Sequence, residues 1–167
     1  MMFDGRAVMQ QVQRFRESDA VVAEAEGPLG ERIRFRKHPA PGIALRIEGI
    51  DPGSPEVMMV IHEPGDRLPE DYPAGLPFVP GLAVAVMLDP VSQRPFLSWW
   101  GVPDAFALAD RLVELQARDG WEPSGGEERP GGMPIRHLTL RRGFEERIIL
   151  ASALAMGGVV QLMVPGP

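Results

Sequence analysis

The apolar positions of this chain change period several times, and each change marks an element. Between Asp4 and Arg16, Val8, Val12 and Phe15 recur at i, i+4 and i+7 among Gln10, Gln11, Gln13 and Arg14, the pattern of an amphipathic helix. Ser18-Asp19 offers one end to it. Gly27-Pro28 offers a later one, reached through Ala20-Val21-Val22-Ala23. From Glu31 the period becomes two. Ile33 and Phe35 alternate with Arg32, Arg34 and Arg36; after a break at Pro39 to Gly42, Ile43, Leu45 and Ile47 alternate with Ala44, Arg46 and Glu48. Asp51-Pro52-Gly53 reads as a turn into a third strand, Val57 to His62, completing an antiparallel meander.

Residues 63–80 hold prolines at 64, 69, 73, 77 and 80, a density that predicts a long loop without regular elements. Loops of that length are often functional, which makes Tyr72 and Phe78 candidate docking residues. Leu82 to Leu88 and Pro95 to Trp100 predict a hairpin around residues 89–94. The chain's one long helix is expected at about 103–118, with Pro103 in its first turn and Asp104 at the positive end of its dipole. Leu108, Leu112 and Leu115 line one face, Glu114 and Arg118 the other, and Gly120 stops it. The Gly-, Pro- and Glu-rich stretch 122–134 predicts a second loop. A final meander runs through Ile135 to Arg141, Phe144 to Ala155 and Val159 to Val164, turning at Arg142-Gly143 and Gly157-Gly158. The expected fold is one α+β domain over residues 1–167, mainly an antiparallel sheet with an N-terminal helix and the long helix packed on it.

The tail has two readings. Ile148 to Pro167 carries no charge, which suits two strands buried on both faces. It also suits a tail-anchored membrane helix, although the apolar run to Val164 sits at the lower edge of a spanning length and contains Gly157-Gly158.

The order helix (Ala105 to Arg118), Gly-Trp exit, Gly-rich loop, Pro134-Ile135-Arg136-His137-Leu138-Thr139-Leu140 and hydrophobic hairpin resembles the C-terminal half of Mog1/PsbP/DcrB-like domains over residues 80–165. The resemblance implies a mostly non-catalytic domain, of which the plant branch is an accessory subunit of a photosystem.

Composition narrows the function classes. At 167 residues and 44% hydrophobic content, the chain can bury a core without metals or disulfides. The absence of cysteine excludes thiolate nucleophiles, iron–sulfur clusters and thiolate zinc sites. Lys37 is the only lysine beside sixteen arginines, which suits a GC-rich bacterial genome or arginine selected for bidentate pairing. The net charge of −6 is concentrated in residues 49–131, where five basic groups face fourteen acidic ones. That distribution argues against a nucleic-acid surface, which needs clustered positive charge. Met1-Met2-Phe3-Asp4-Gly5-Arg6 does not read as a signal peptide, so the expected location is the cytoplasm or the cytoplasmic face of a membrane complex.

Catalytic sets are hard to find. No serine sits in a G-x-S-x-G elbow, and His38, His62 and His137 are scattered. His62-Glu63 with Asp66, Glu70 and Asp71 lacks H-E-x-x-H spacing and lies on a proline-broken segment. No phosphate-binding loop precedes Lys37. No residue is therefore assigned to catalysis, a cofactor or a metal. Trp99-Trp100 must point to opposite faces of its strand, so either both are covered or one is an outward docking anchor. The Arg32/Arg34/Arg36 stripe is a solvated face or a contact for an acidic partner or lipid headgroups. The leading expectation is a non-catalytic interaction or accessory subunit. It would dock onto a larger assembly, which could be membrane-bound, through Trp99, Trp100, Arg32, Arg34, Arg36, Tyr72 and Phe78. The alternatives are a small-molecule binder with an apolar pocket under the 103–118 helix, and an enzyme using isolated carboxylates or arginines.

Overall fold

Strands with a period of two have two distinct faces, and here the two helices settle on opposite faces of one sheet. The computed structural model describes residues 5–26, 30, 32–37, 43–53, 59–62, 64–69, 72–88, 94–129, 131–153 and 157–165. His38, Glu63, Glu70, Asp71, the breaks at Gly27-Pro28 and Pro39 to Gly42, and most of the 89–94 turn lie outside them.

Helix α1 (Gly5–Glu17) takes the earlier of its two stops, where the Ser18 hydroxyl donates to the Phe15 carbonyl at 2.8 Å. Beyond it the chain is extended, as β1 (Val22–Glu26), which corrects the reading of Ala20 to Ala23 as more helix. Then follow β2 (Arg32–Arg36), β3 (Ile43–Gly49), β4 (Met59–His62), β5 (Val84–Leu88) and β6 (Pro95–Val102). Helix α2 (Ala105–Ala117) carries the chain to the far edge, from which β7 (Glu122–Arg129), β8 (Ile135–Arg142), β9 (Glu145–Ser152) and β10 (Gly158–Met163) return to the middle. The spatial order is β1-β2-β3-β4-β5-β6-β10-β9-β8-β7, and every pairing is antiparallel.

Each helix makes its own core. On the α1 face, Val12 and Phe15 pack with Ile33, Phe35, Ile47, Met59, Ile61 and Ala85. On the α2 face, Leu108, Ala109 and Leu112 pack with Leu97, Trp99, Leu140, Ile149, Ala151, Val160 and Leu162. Fully burying a side chain such as Leu112 contributes about 1.5–3 kcal/mol. Residues 72–82 extend the cover of the α2 face through Tyr72, Leu76, Phe78, Val79 and Leu82. Tyr72 is buried, donates its hydroxyl to the Pro77 carbonyl at 2.7 Å, and packs its ring against His62 and Phe78, each at 5.6 Å between centroids.

Several expectations need correction. α1 and α2 are both 13 residues, so there is no single long helix. Pro103 precedes the helix rather than occupying its first turn; Asp104 is the N-cap, accepting from the Ala107 N–H at 3.0 Å. Leu115 is half-buried, and the inward place next to it goes to Gln116. Residues 122–134 are not a loop throughout, because β7 occupies 122–129. Gly157-Gly158 is not the tip of a two-residue turn, since Ser152 pairs with Val159 and residues 153–158 lie between them. Those glycines permit close approach instead: a Cβ on Gly157 would lie 2.8 Å from Gly101 Cα, and one on Gly158 would lie 2.5 Å from Ala105 Cβ.

β7 is an edge strand with all eight residues exposed. Pro123 lacks an N–H, and the register against β8 shifts between Pro123 and Gly125. The other edge, β1, presents Glu24 and Glu26 to solvent. Among the described residues no helix is long and apolar enough to cross a membrane, and the 148–163 segment is a strand pair rather than a spanning helix.

Candidate docking surface

The two faces of the sheet can be followed strand by strand. On the α2 face, the β1–β3 part is charged, and its charges pair across strands. Arg34 meets Glu24 at 3.1 Å and Arg36 meets Glu48 at 3.7 Å, while Arg32 meets Asp51 beyond the strands at 2.9 Å. The Arg32 backbone N–H and then its guanidinium bind Asp51, holding that carboxyl below its usual range. The arginine stripe is thus an ion-paired outer surface.

On the α1 face, α1 covers β1–β5 and stops short of the rest. Trp100 closes the edge of that cover, half-buried against the α1 core. Beyond it the registry lines up Trp100 with Val159, Gln161 with Ser98 and with Leu150, Ile148 with Thr139, and Leu150 with His137. These side chains, with Ile135, Ser152, Met163 and Phe96, form a continuous surface without an Asp, Glu, Lys or Arg. All are half-buried except Ser98, which is fully buried and whose hydroxyl lacks a protein partner. No described helix or loop packs over β8, β9 and β10 on this side.

β9 and β10 were expected to be buried on both faces. Their α2 face is: Ile149, Ala151, Val160 and Leu162 are 0% exposed. Their α1 face, with Ile148, Leu150, Val159 and Met163 beside Gln161 and Ser152, is largely apolar but only half-buried. The rim is charged but internally matched. Arg141 pairs with Glu146 at 3.2 Å and Arg129 with Glu127 at 3.1 Å; the bond from Arg129 chiefly holds the Glu127 carboxyl below its usual range. At the β8–β9 turn Phe144 stands 110% exposed, with no cover from its own chain.

The other predicted site residues scatter. Trp99 is 1% exposed in the α2-side core, so it cannot anchor a partner. Tyr72 is buried, its hydroxyl pushed up by burial, and Phe78 is half-buried against it. Both act inside the fold. Trp100 alone joins the uncovered face. Sequence reading missed Phe144, although an aromatic next to Gly143 at a hairpin turn flanked by charges has no core to enter. No group of three or more metal-ligand side chains gathers among the described residues.

A buried polar cluster ties three elements together. Arg147 on β9, 7% exposed, donates to Gln116 Oε1 at 2.7 Å and to the Gly75 carbonyl at 2.9 Å. Its guanidinium lies 4.0 Å from the Trp121 ring centroid, and burial pulls its pKa down. This arrangement pins the segment around Gly75 to α2 and β9. A cavity of about 480 Å³, open to solvent, lies elsewhere, beside Glu24, Ala25, Glu26, Gly30 and Arg32, and neither Trp99 nor Trp100 lines it.

No family model, curated protein or solved structure matches this chain, so the likeness to Mog1/PsbP/DcrB-like domains rests on the sequence pattern alone.

Proposed function

We propose that this chain is a non-catalytic protein-binding subunit that docks through the uncovered α1 face of β8, β9, β10 and β6. One observation carries the reading: among the described residues nothing packs over the α1 face of β8, β9 and β10, whose centre carries Ile148, Leu150, Val159 and Met163 with Gln161, His137, Thr139 and Ser152 and no Asp, Glu, Lys or Arg. Uncharged, partly apolar faces of this kind serve as interaction surfaces on proteins that stay dissolved. Trp100 and Phe144 supply aromatic anchors of the type enriched at binding hot spots. The setting we propose is a larger assembly in the cytoplasm or at the cytoplasmic face of a membrane. The acidic middle of the chain disfavours nucleic acid as the partner.

Capture from native cytosol and membranes, read by mass spectrometry, tests this with two variants. Leu150→Arg places a charge in the centre of the face, and Arg34→Glu alters the charged surface on the other side. Loss of specific partners with Leu150→Arg but not with Arg34→Glu is expected. Identical partner sets from both variants and the parent protein would refute the docking face.

A further inference from the structure

We infer that the occupant of the uncovered face is a second copy of this chain, packed sheet to sheet. The inference rests on the docking reading above and adds what docks. Three features select this partner. The surface is built from Ile135, Thr139, Ile148, Leu150, Val159 and Met163 around the uncharged polar Gln161 and beside His137, side chains rising from one continuous set of paired strands. Such faces stack on one another about 10 Å apart in sandwiches. A small ligand would need a concavity, and the described cavity lies at Glu24 to Arg32 instead.

Charge is the second feature. The protein carries a net −6, which opposes self-association wherever like charges meet. The uncovered face carries none of that charge, and its rim carboxylates Glu127 and Glu146 are already paired with Arg129 and Arg141. Little charge remains to select an oppositely charged partner, and a neutral face meeting its own copy encounters no repulsion.

Area is the third. Four strands about 4.8 Å apart, over about six residues at about 3.4 Å rise, give a patch on the order of 400 Å². Two copies face to face would bury roughly 800 Å², below the usual range of stable interfaces and within that of weak, transient ones. The dimer is therefore reversible and forms only at high protein concentration.

Sedimentation velocity on the full chain from about 1 to 200 µM tests this. The mass is expected to rise from the 18.3 kDa monomer toward twice that value. Leu150→Arg, checked for folding by circular dichroism, should weaken dimerisation at least tenfold, and Arg34→Glu should leave it unchanged. The absence of cysteine permits a second measurement that does not depend on a disruptive variant. Thr139→Cys on the uncovered face should be joined to a second copy by a bis-maleimide long enough to bridge sheets about 10 Å apart, and Arg34→Cys should not. A monomer at every concentration, or equal cross-linking of the two cysteine variants, would overturn the inference. If the protein is monomeric while Leu150→Arg still abolishes partner capture, the second copy is wrong and the docking face survives. If it is monomeric and Leu150→Arg changes no capture, both fail.

Discussion

Replacing Gln116 with leucine removes the side-chain acceptor that faces Arg147 inside the fold, and leaves the shape of the site nearly intact. Gln116 is 0% exposed and Arg147 is 7% exposed, so water has little access to the abandoned guanidinium. A hydrogen bond to a charged group is worth about 1.5–3 kcal/mol, and stripping one partner from a buried charge costs about 3–5 kcal/mol. The Gly75 carbonyl and the Trp121 ring still face Arg147, so a loss near the lower figure, about 3 kcal/mol, is expected for Gln116→Leu. Arg147→Met should cost less. It forfeits a cation–π contact of about 0.5–2 kcal/mol but relieves the desolvation of the charge. In the double variant the leucine has no charge to strand, so its stability should match that of Arg147→Met. The coupling between the two changes would then equal the Gln116→Leu loss itself, about 3 kcal/mol. Urea unfolding monitored by tryptophan fluorescence measures this. With a slope of about 2 kcal/mol per molar, Gln116→Leu should lower the midpoint by about 1.5 M. A loss under 1 kcal/mol for Gln116→Leu, or additive single changes, would mean that the cluster does not hold the buried charge as described.

Other expectations follow from burial and local geometry. Leu112→Ala, at a site with no exposure, should cost about 2–5 kcal/mol in the same assay. Trp99→Ala should cost about 3–5 kcal/mol, and the same change at half-buried Trp100 should cost clearly less; equal losses would contradict the assignment of faces. Gly158→Ala should destabilise by about 1–3 kcal/mol through the clash with Ala105, where a surface Gly→Ala would not. The lowered pKa of Asp51 contributes stability above its unfolded value of about 3.9, lost as pH falls through the folded value. Asp51→Asn should therefore flatten the acid limb of the stability–pH curve, seen by comparing urea midpoints at pH 6 and pH 3.

What could be read from the sequence depended on whether a segment's side chains are sorted by burial. β2, with Ile33 and Phe35 inside and three arginines outside, is sorted strictly, and so is the Leu108/Leu112 face of α2. β7 is sorted by nothing. All eight residues are exposed, and pairing with β8 makes it a strand, which glycine and proline counts cannot reveal. β1 hides differently, because Val-Ala-Glu-Ala-Glu satisfies helix propensity while its alternation places small Ala23 and Ala25 under α1. The opposite orientations of Trp99 and Trp100 follow from strand geometry, but which one is sealed depends on where α1 and α2 land. For the same reason the sequence could mark 148–163 as apolar on both sides without saying which side would be left bare.

The edge devices on β7 bear on how copies of this protein can accumulate. A strand with a proline, a register shift and charged side chains offers a poor template for another strand, so the sheet does not readily lengthen through that side. Stacking through the uncovered face uses up that face in both molecules at once. Growth that is obstructed at β7 and consumed across the sheet favours a closed pair over an open fibre. At high concentration this chain should populate small discrete species.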